Sequence, residues 1–191
     1  MQRFLKIKRI IGKRVLNNLL KKENKRRIKY CNINTANSFG ILCVIENEND
    51  YKKILKLVKY LRDEFGIRNV KALAYYTNND DPSFLISKLG LDFFRTTDLN
   101  LFCFPNSVIV RNFINTNFDI LLDITNKEII PQRFVTYYSK SSLKVGTFSS
   151  SNKDFYDLMI KLNSNDFEEY INQVVIYLDM INKDIGASEK V

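Results

Sequence analysis

Short apolar runs rich in β-branched residues alternate with amphipathic segments from residue 38 onward. We predict strands over residues 40–45, 69–76, 92–95, 118–124, 143–148 and 157–162, the third of them at an edge of the sheet. We predict helices over residues 50–65, 105–114, 128–140 and 166–183. This alternation predicts an α/β fold with a mostly parallel, doubly wound (Rossmann- or flavodoxin-like) sheet and helices on both faces. Such a fold places a ligand site at the carboxyl ends of its strands.

Four residues predict where these helices begin and end. Asp50 is the expected cap of the first helix and Ser164 that of the last, because a short polar side chain can accept hydrogen bonds from the first turn. Pro105 is expected to open the second helix, since proline suits the first helical turn. Gly66 is expected to end the first helix in the left-handed conformation.

Basic residues are concentrated at the start of the chain. Residues 1–29 hold 12 of the 30 lysines and arginines and a single acid, Glu23, which gives this segment a net charge of +11. The rest of the chain has 18 basic and 20 acidic residues, a net charge of −2. We therefore predict a basic helical arm and linker over residues 1–36 and an α/β domain over residues 37–191. This asymmetry indicates a polyanionic partner.

The first part of the arm has the spacing of an amphipathic helix over residues 3–22. Apolar residues recur every three or four positions and predict an apolar stripe of Phe4, Leu5, Ile7, Ile11, Val15, Leu16, Leu19 and Leu20. At about 100° per residue, five cations share another arc of the helix: Arg3, Lys6, Lys13, Arg14 and Lys21. Residues 21–27 break the apolar pattern and predict a charged linker.

We predict a non-enzymatic RNA-binding protein whose arm contacts the phosphates of structured RNA. The predicted RNA-binding residues are Arg3, Lys6, Arg9, Lys13, Arg14, Lys21, Lys22, Lys25, Arg26, Arg27 and Lys29. Phosphate contacts supply most of the sequence-independent affinity for nucleic acid. The ribosome is the first candidate, because it is the most abundant structured RNA of a bacterial cytoplasm. The near-neutral domain would dock on its RNA or on ribosomal proteins.

Two other interpretations of the arm and one of the domain stay open. The arm could be a solubilising tail. Its helix could also lie on an anionic membrane surface, apolar stripe inward, as a peripheral membrane module. The absence of tryptophan and the interruption of the stripe by Lys8 and Lys22 argue against this second interpretation. The domain, finally, could be an enzyme with a site at the strand ends.

The composition argues against most catalytic and cofactor sites, so we predict no catalytic residue, no cofactor and no metal. The chain has no histidine, which removes the usual general base and the histidine metal ligands. The turn over residues 45–50 follows the first predicted strand and contains three carboxylates and no glycine. It therefore lacks the Gly-x-Gly-x-x-Gly pattern of dinucleotide binding. The Walker phosphate-binding pattern is also absent from the sequence.

Three cysteines, Cys31, Cys43 and Cys103, have neither CxxC spacing nor a histidine partner, which is typical of free thiols in a reducing compartment. We expect Cys43 in the core. We do not expect Cys103 to be a nucleophile, because Phe102 and Phe104 cannot stabilise a thiolate. No segment is apolar enough to span a membrane, and cations interrupt the apolar residues of the N-terminus, unlike a secretory signal. We predict a cytoplasmic protein.

Three further groups of residues have both a functional and a structural interpretation. Glu46, Asp80, Asp81 and Asp123 could converge on Mg²⁺ at the strand ends, or could cap helices and hold loops. The hydroxyl-rich loop 146–153 could hold a phosphate or be a mobile solvent loop. Three aromatic pairs could stack on bases, but we expect them in the core: Tyr75 and Tyr76, Phe93 and Phe94, Tyr137 and Tyr138.

Several sequence blocks resemble a family of short, basic-tailed proteins from Bacteroidota that carry a domain of unknown function. The blocks are NSFGILCVIENENDY, FINTNFDILLDIT, YYSKSSLKVGTF, and YDLMIKL followed by YINQVVIYLDMI. The resemblance covers nearly the full chain and implies a bacterial cytoplasmic protein without an established activity. Residues 118–124 and 143–146 are also similar to the N-terminal half of heptosyltransferases. That likeness concerns the fold, because the sugar-nucleotide-binding half has no counterpart here.

Overall fold

Six parallel strands form one sheet at the centre of the computed structural model, which describes residues 2–22, 26–78, 80–88, 90–161 and 166–182, with backbone only for residues 2–4. The strands are β1 (Ser38–Ile45), β2 (Asn69–Tyr76), β3 (Leu91–Arg95), β4 (Ile120–Asp123), β5 (Leu143–Thr147) and β6 (Leu158–Ile160). They lie in the order β3-β2-β1-β4-β5-β6, and every neighbouring pair is parallel. The predicted fold class is confirmed, and this order is the Rossmann order rather than the flavodoxin order.

The described residues contain five α-helices, which cover both faces of the sheet. They are α1 (Gln2–Leu20), α2 (Glu48–Phe65), α3 (Val108–Asn115), α4 (Ile130–Tyr138) and α5 (Phe167–Met180). Helices α2 and α5 share one core, to which Leu57 and Leu178 contribute. Helices α3 and α4 share a second core on the other face, with Val110 and Val135. The sheet is therefore doubly wound, as the alternation of elements predicts.

Strand β1 shows why the centre of the sheet reads as a continuous apolar run. Ile41 and Cys43 belong to the core under α2 and α5, whereas Leu42 belongs to the core under α3 and α4. Successive side chains of a strand point to opposite faces, so a strand covered on both faces needs apolar residues at every position. The expectation that Cys43 is a core residue is confirmed. Phe39 lies opposite Ile120, and the strand order reverses at this pair of strands.

The predicted cap of α2 is wrong, whereas its predicted end is confirmed. Asn47 caps the helix, because its side-chain oxygen accepts the N–H of Asp50 at 3.1 Å. The carboxylate of Asp50 in turn accepts the N–H of Glu46 at 3.0 Å. Asn47 is therefore the cap, and Asp50 holds the residue that precedes it. Gly66 ends the helix with a φ of +63°, the left-handed conformation that glycine favours.

The predicted starts of α3 and α5 also need correction. Pro105 does not open α3, because it forms a β-bridge with Leu99 instead. The helix begins three residues later, at Val108, and its cap is Ser107, whose Oγ accepts an N–H of the first turn at 3.3 Å. Asp166 caps α5 by accepting two N–H groups at 2.7 and 3.0 Å. The predicted cap Ser164 lies outside the described residues.

Helix α1 packs against α4 and the segment before α3. Leu16 is 1% exposed and lies in a cluster with Ile130, Phe134 and Phe155. One turn earlier, the backbone of Gly12 comes so close to this segment that a Cβ would lie 2.4 Å from a carbonyl oxygen. A glycine is therefore needed at this position for the helix to approach the domain.

The packed face of α1 is rotated relative to the predicted apolar stripe. Four members of the stripe pack against the domain: Val15, Leu16, Leu19 and Leu20. Two other members, Ile7 and Ile11, are 54% and 37% exposed. The spacing of apolar residues does not reveal that Gly12 lies in the contact. The division into an arm over residues 1–36 and a domain over residues 37–191 stays a prediction.

Replacing Leu16 by alanine should destabilise the whole domain. The leucine fills space between Ile130, Phe134 and Phe155, so we expect the free energy of unfolding in urea to fall by about 2–4 kcal/mol. Ile10→Ala, on the exposed side of the same helix, is the control and should change this free energy by less than about 0.5 kcal/mol. If Leu16→Ala lowered this free energy as little as Ile10→Ala, α1 would unfold separately from the domain.

Candidate nucleic-acid interface

The side of α1 that faces away from α4 is strongly basic. Its exposed cations, with those of the turn that follows, are Lys6, Arg9, Lys13, Arg14, Lys21 and Lys22, which we call the basic face of α1. Lys13 Nζ lies 3.0 Å from a carboxylate oxygen of Glu128. Within the part of the chain that the structure describes, no carboxylate lies within ion-pair distance of the other five cations. Helix α1 itself contains no acidic residue, so its positive charge is largely uncompensated.

The remaining predicted RNA-binding residues lie around this face or outside the described residues. Arg27 and Lys29 are exposed on the linker that follows α1. The side chain of Arg3 and the whole of Lys25 lie outside the description. Lys8, which interrupts the predicted stripe, is half-buried and donates to a backbone carbonyl of the segment before α3 at 3.2 Å. The cations of the arm therefore do not all reach the surface.

Arg26 points into the protein. Its guanidinium donates to both carboxylate oxygens of Asp157, at 2.5 and 2.6 Å, and to the carbonyl oxygens of Ser141 and Ser142. Both side chains of this ion pair are largely buried. Arg26 thereby anchors the linker beside β5 and β6. Arg26 is therefore not one of the exposed cations of the arm.

A buried lysine lies beside this ion pair. Lys144 donates from Nζ to the carbonyl oxygens of Thr136 and Tyr137 at the end of α4. The pKa of Lys144 is lowered from its ordinary 10.5 to about 7, mainly by burial and also by the positive charge of Arg26, while Asp157 acts in the opposite direction. Sequence spacing gives no signal for this site, because a lysine inside a predicted strand reads as an exposed residue.

The four carboxylates considered as magnesium ligands do not converge. Glu46 lies 3.7 Å from Lys127 Nζ, and Asp81 lies 2.5 Å from a guanidinium nitrogen of Arg95. Asp80 and Asp123 each accept a tyrosine hydroxyl. Within the described ranges, no three Asp, Glu or Cys side chains are close enough to hold a metal ion. These carboxylates therefore serve local contacts.

Asp123 is the most deeply buried of these carboxylates. It ends β4 and accepts the hydroxyl of Tyr156 at 2.7 Å and the N–H of Thr125 at 2.8 Å. Burial raises the pKa of the Asp123 carboxyl, and the two hydrogen bonds oppose this rise. The hydroxyl of Thr125 continues the network to Gln132 at 2.7 Å. Asp123 thus holds the loop that follows its strand, which agrees with the structural interpretation of these carboxylates given above.

The hydroxyl-rich loop 146–153 is held by an arginine. Arg133 of α4 donates to the carbonyl and hydroxyl oxygens of Ser151 and to the side chain of Asn152, at 2.8 to 3.1 Å. Its guanidinium also lies 4.7 Å from the ring centroid of Phe155, within the range of a cation–π contact. Sequence analysis misses Arg133, because the contact joins residues 18 positions apart. These contacts tie the loop to α4, while Phe148, Ser150, Ser151 and Lys153 stay exposed to solvent.

A cleft of about 230 Å³ opens between the carboxyl ends of β1 and β4, where the strand order reverses. This is the place where Rossmann-like proteins bind ligands. Its polar lining mixes acids and bases: Glu46, Asp50, Lys53 and Lys127. The side chains of Asn47 and Asp50 already bond to backbone N–H groups around the start of α2. The N–H groups of Glu46 and Asp50 are thus already bonded within the protein, and the cleft does not have the uniform positive charge that suits a pyrophosphate.

Most of the aromatic pairs lie in the core, as expected. Tyr75, Tyr76 and Phe94 are buried, and the rings of Tyr75 and Phe94 stack at a centroid distance of 5.0 Å. Tyr138 is partly exposed, next to Tyr137. These pairs therefore provide no shared platform for stacking on bases.

The fold and this surface define a Rossmann-like α/β protein with a basic helix docked on its domain. Residues 8–181 match a family of unknown function, DUF6913, and the chain belongs to this family. The match confirms the resemblance to a family of unknown function. No curated protein and no solved structure matches the chain.

Lys144→Met should remove a pH-dependent part of the stability. The pKa of Lys144 is about 7 in the folded protein and 10.5 when unperturbed, so between these values the unfolded chain binds more protons. The free energy of unfolding of the wild type should then rise with pH from 7 to 9.5, by up to about 1.4 kcal/mol per pH unit relative to Lys144→Met. Below pH 7 the two curves should run parallel.

The control for this experiment is Lys140→Met, which changes an exposed lysine two residues after the end of α4. Urea denaturation at several pH values measures all three proteins. The Lys140→Met curve should follow the wild type over the whole range. A constant difference between wild type and Lys144→Met from pH 6 to 9.5 would show that Lys144 keeps its proton in the folded state.

Proposed function

We propose that the protein binds structured RNA through the basic face of α1, with ribosomal RNA as the partner. One observation carries this proposal. Six exposed cations stand on α1 and on the turn that follows it, and the domain holds this helix in place. Among the described residues, five of the six have no carboxylate within ion-pair distance. Lysine and arginine side chains that neutralise phosphates release counterions, which is the main source of non-specific affinity for nucleic acid.

The geometry of α1 suits a duplex. The helix has 19 residues, a length of about 28 Å at 1.5 Å per residue. Proteins recognise duplex RNA mainly by its shape and its phosphates rather than by base edges. Because Leu16 already holds the helix on the domain, little ordering entropy is lost on binding.

The proposal includes the cellular setting. The partner is the ribosome, with the near-neutral domain docking on its RNA or proteins. The protein acts in the cytoplasm of a Bacteroidota bacterium, as its sequence blocks imply, and it is not an enzyme. The carboxylates at the strand ends support this last point, because Glu46, Asp80, Asp81 and Asp123 each have a partner within the protein. The heptosyltransferase likeness concerns the fold alone.

An anionic membrane surface is the alternative partner of the same face. Exposed Ile7 and Ile10 favour it. Ile10 stands one helical turn from both Lys6 and Arg14, however, so its insertion into lipid would carry two cations along. Four of the eight residues of the apolar stripe pack against the domain and are not available to lipid. None of the described helices is long and apolar enough to cross a membrane.

Removing four cations of the basic face should weaken RNA binding and its dependence on salt. With five to eight phosphates neutralised, the plot of log affinity against log salt should have a slope of roughly −4 to −7, since each duplex phosphate contributes about −0.9. Changing Lys6, Arg9, Arg14 and Lys21 to Gln should flatten the slope by about 3 units. Filter binding to purified ribosomal particles, over a range of salt concentrations, measures this effect.

The matched control is an equal change of charge on α2. Lys52, Lys53, Lys56 and Lys59 are exposed there, and their change to Gln should leave the slope unaltered. Neither variant should lower the melting temperature by more than a few degrees, because all eight side chains are exposed. Equal flattening by both variants would contradict a defined site. Tight binding to anionic vesicles without binding to ribosomal particles would replace RNA by the membrane surface.

A further inference from the structure

Residues 99–105, which we call the apolar loop, present two large apolar side chains beside the basic face of α1. Leu101 is 62% exposed and Phe102 is 48% exposed. Lys8 Nζ donates to the first carbonyl of the loop at 3.2 Å, and the backbone of Gly12 packs against the carbonyl oxygen of Phe102. The loop therefore packs against the turn of α1 that spans residues 8–12.

Hydrogen bonds fix the conformation of the apolar loop. The side-chain oxygen of Asn100 accepts the N–H groups of Phe102 at 2.8 Å and Phe104 at 3.0 Å. The N–H of Cys103 donates to the carbonyl of Asn100 at 3.2 Å. Cys103 has a φ of +59°, a left-handed turn that accompanies a buried thiol and a half-exposed Phe102 ring. The loop thus presents an aromatic ring at a defined position.

The turn of α1 that contacts the apolar loop also carries an exposed cation of the basic face. Lys8 bonds to the loop, and Arg9, the next residue, is exposed. The positive charges of Arg9 and Lys8 also lower the pKa of the Cys103 thiol, against the larger effect of its burial, which raises this pKa. Phe102 is therefore exposed on a loop that packs beside a cation able to bind a phosphate.

We propose that Phe102 stacks on an unpaired base of the RNA whose phosphates bind the basic face of α1. This inference rests on the proposed function and narrows its ligand to RNA in which a duplex adjoins a single-stranded segment. Stacking tolerates any sequence, because every base has a π-face. The cations hold the duplex phosphates, and Phe102 selects the junction.

The basic face of α1 suits a nucleic acid better than a lipid bilayer. An interfacial helix needs a continuous apolar face with its cations on the opposite side. Here Ile10 lies between Lys6 and Arg14 on the outer side of α1, so apolar and cationic residues share one face. A nucleic acid strand alternates charged phosphates with apolar base faces over a similar distance. The pattern of the surface therefore matches a nucleic acid strand.

Two substitutions of Phe102 test the proposal. Phe102→Leu keeps an apolar side chain but removes the π-face. We expect it to lower the affinity for an RNA duplex with a single-stranded tail by about 5- to 100-fold, and to leave the affinity for the blunt duplex unchanged. Leu101→Gln is the matched control and should bind both RNAs like the wild type. Thermal unfolding checks that both variants fold as the wild type does.

Phe102→Trp introduces a single tryptophan, because the chain contains none, and its fluorescence can be excited at wavelengths where the ten tyrosines do not absorb. We expect its emission to be quenched by the tailed RNA and to be little changed by the blunt duplex. A blue shift on vesicles of phosphatidylcholine and phosphatidylglycerol in equal parts, with no quenching by RNA, would overturn the proposal in favour of a membrane surface.

The outcomes distinguish a failure of base stacking from a failure of RNA binding as a whole. If the variant lacking Lys6, Arg9, Arg14 and Lys21 loses binding but Phe102→Leu binds tailed RNA like the wild type, stacking is excluded and the proposed function stands. If the wild type binds neither the tailed nor the blunt RNA, the proposed function fails together with this inference. Loss of tailed-RNA binding in Leu101→Gln equal to that in Phe102→Leu would also contradict stacking, because it would assign the effect to apolar area alone.

Discussion

A buried ion pair joins the basic arm to the α/β domain. Arg26 donates to both carboxylate oxygens of Asp157 and to the carbonyls of Ser141 and Ser142, while Asp157 also accepts the N–H of Lys144. The pair thereby links the linker to β5 and β6. Loss of one partner would leave the other charge buried without compensation, at a cost of about 3–5 kcal/mol. The chain that leaves α1 is fixed by this pair, so the helix has a defined place beside α4.

The contact at Gly12 decides which residues of α1 face outward. The missing side chain lets the helix backbone reach the carbonyl of Phe102, which turns Leu16 into the core and Ile10 to the solvent. The same rotation brings Lys8 against the domain and leaves Arg9 outside. A larger residue at position 12 would push the helix away from the apolar loop. The surface that we propose for RNA therefore depends on a close backbone approach.

The alternation of apolar runs predicts the sheet because a strand buried on both faces, such as β1, leaves a strong local pattern. The helix starts are predicted less well, since Asn47 and Asp50 have similar chemistry and only the chain path decides which is the cap. The basic face follows from local charge alone. The exposure of Phe102 cannot be predicted in this way, because it depends on the packing of α1. The pairing of Arg26 with Asp157 cannot be predicted either, since it joins residues 131 positions apart.

Helix α2 has charges of opposite sign one turn apart, whereas the charges of α1 are all of like sign. On α2, Glu48 and Lys52 form an ion pair one turn apart, as does Lys59 with an acid one turn on, which favours the helix. On α1, Arg9 and Lys13 stand one turn apart with like charge, a spacing that disfavours a helix by about 0.2–0.5 kcal/mol per pair. Packing against the domain must offset this repulsion. Selection for folding alone would favour acids on the outer side of α1, so the uncompensated charge is best explained by a partner that supplies the negative charge.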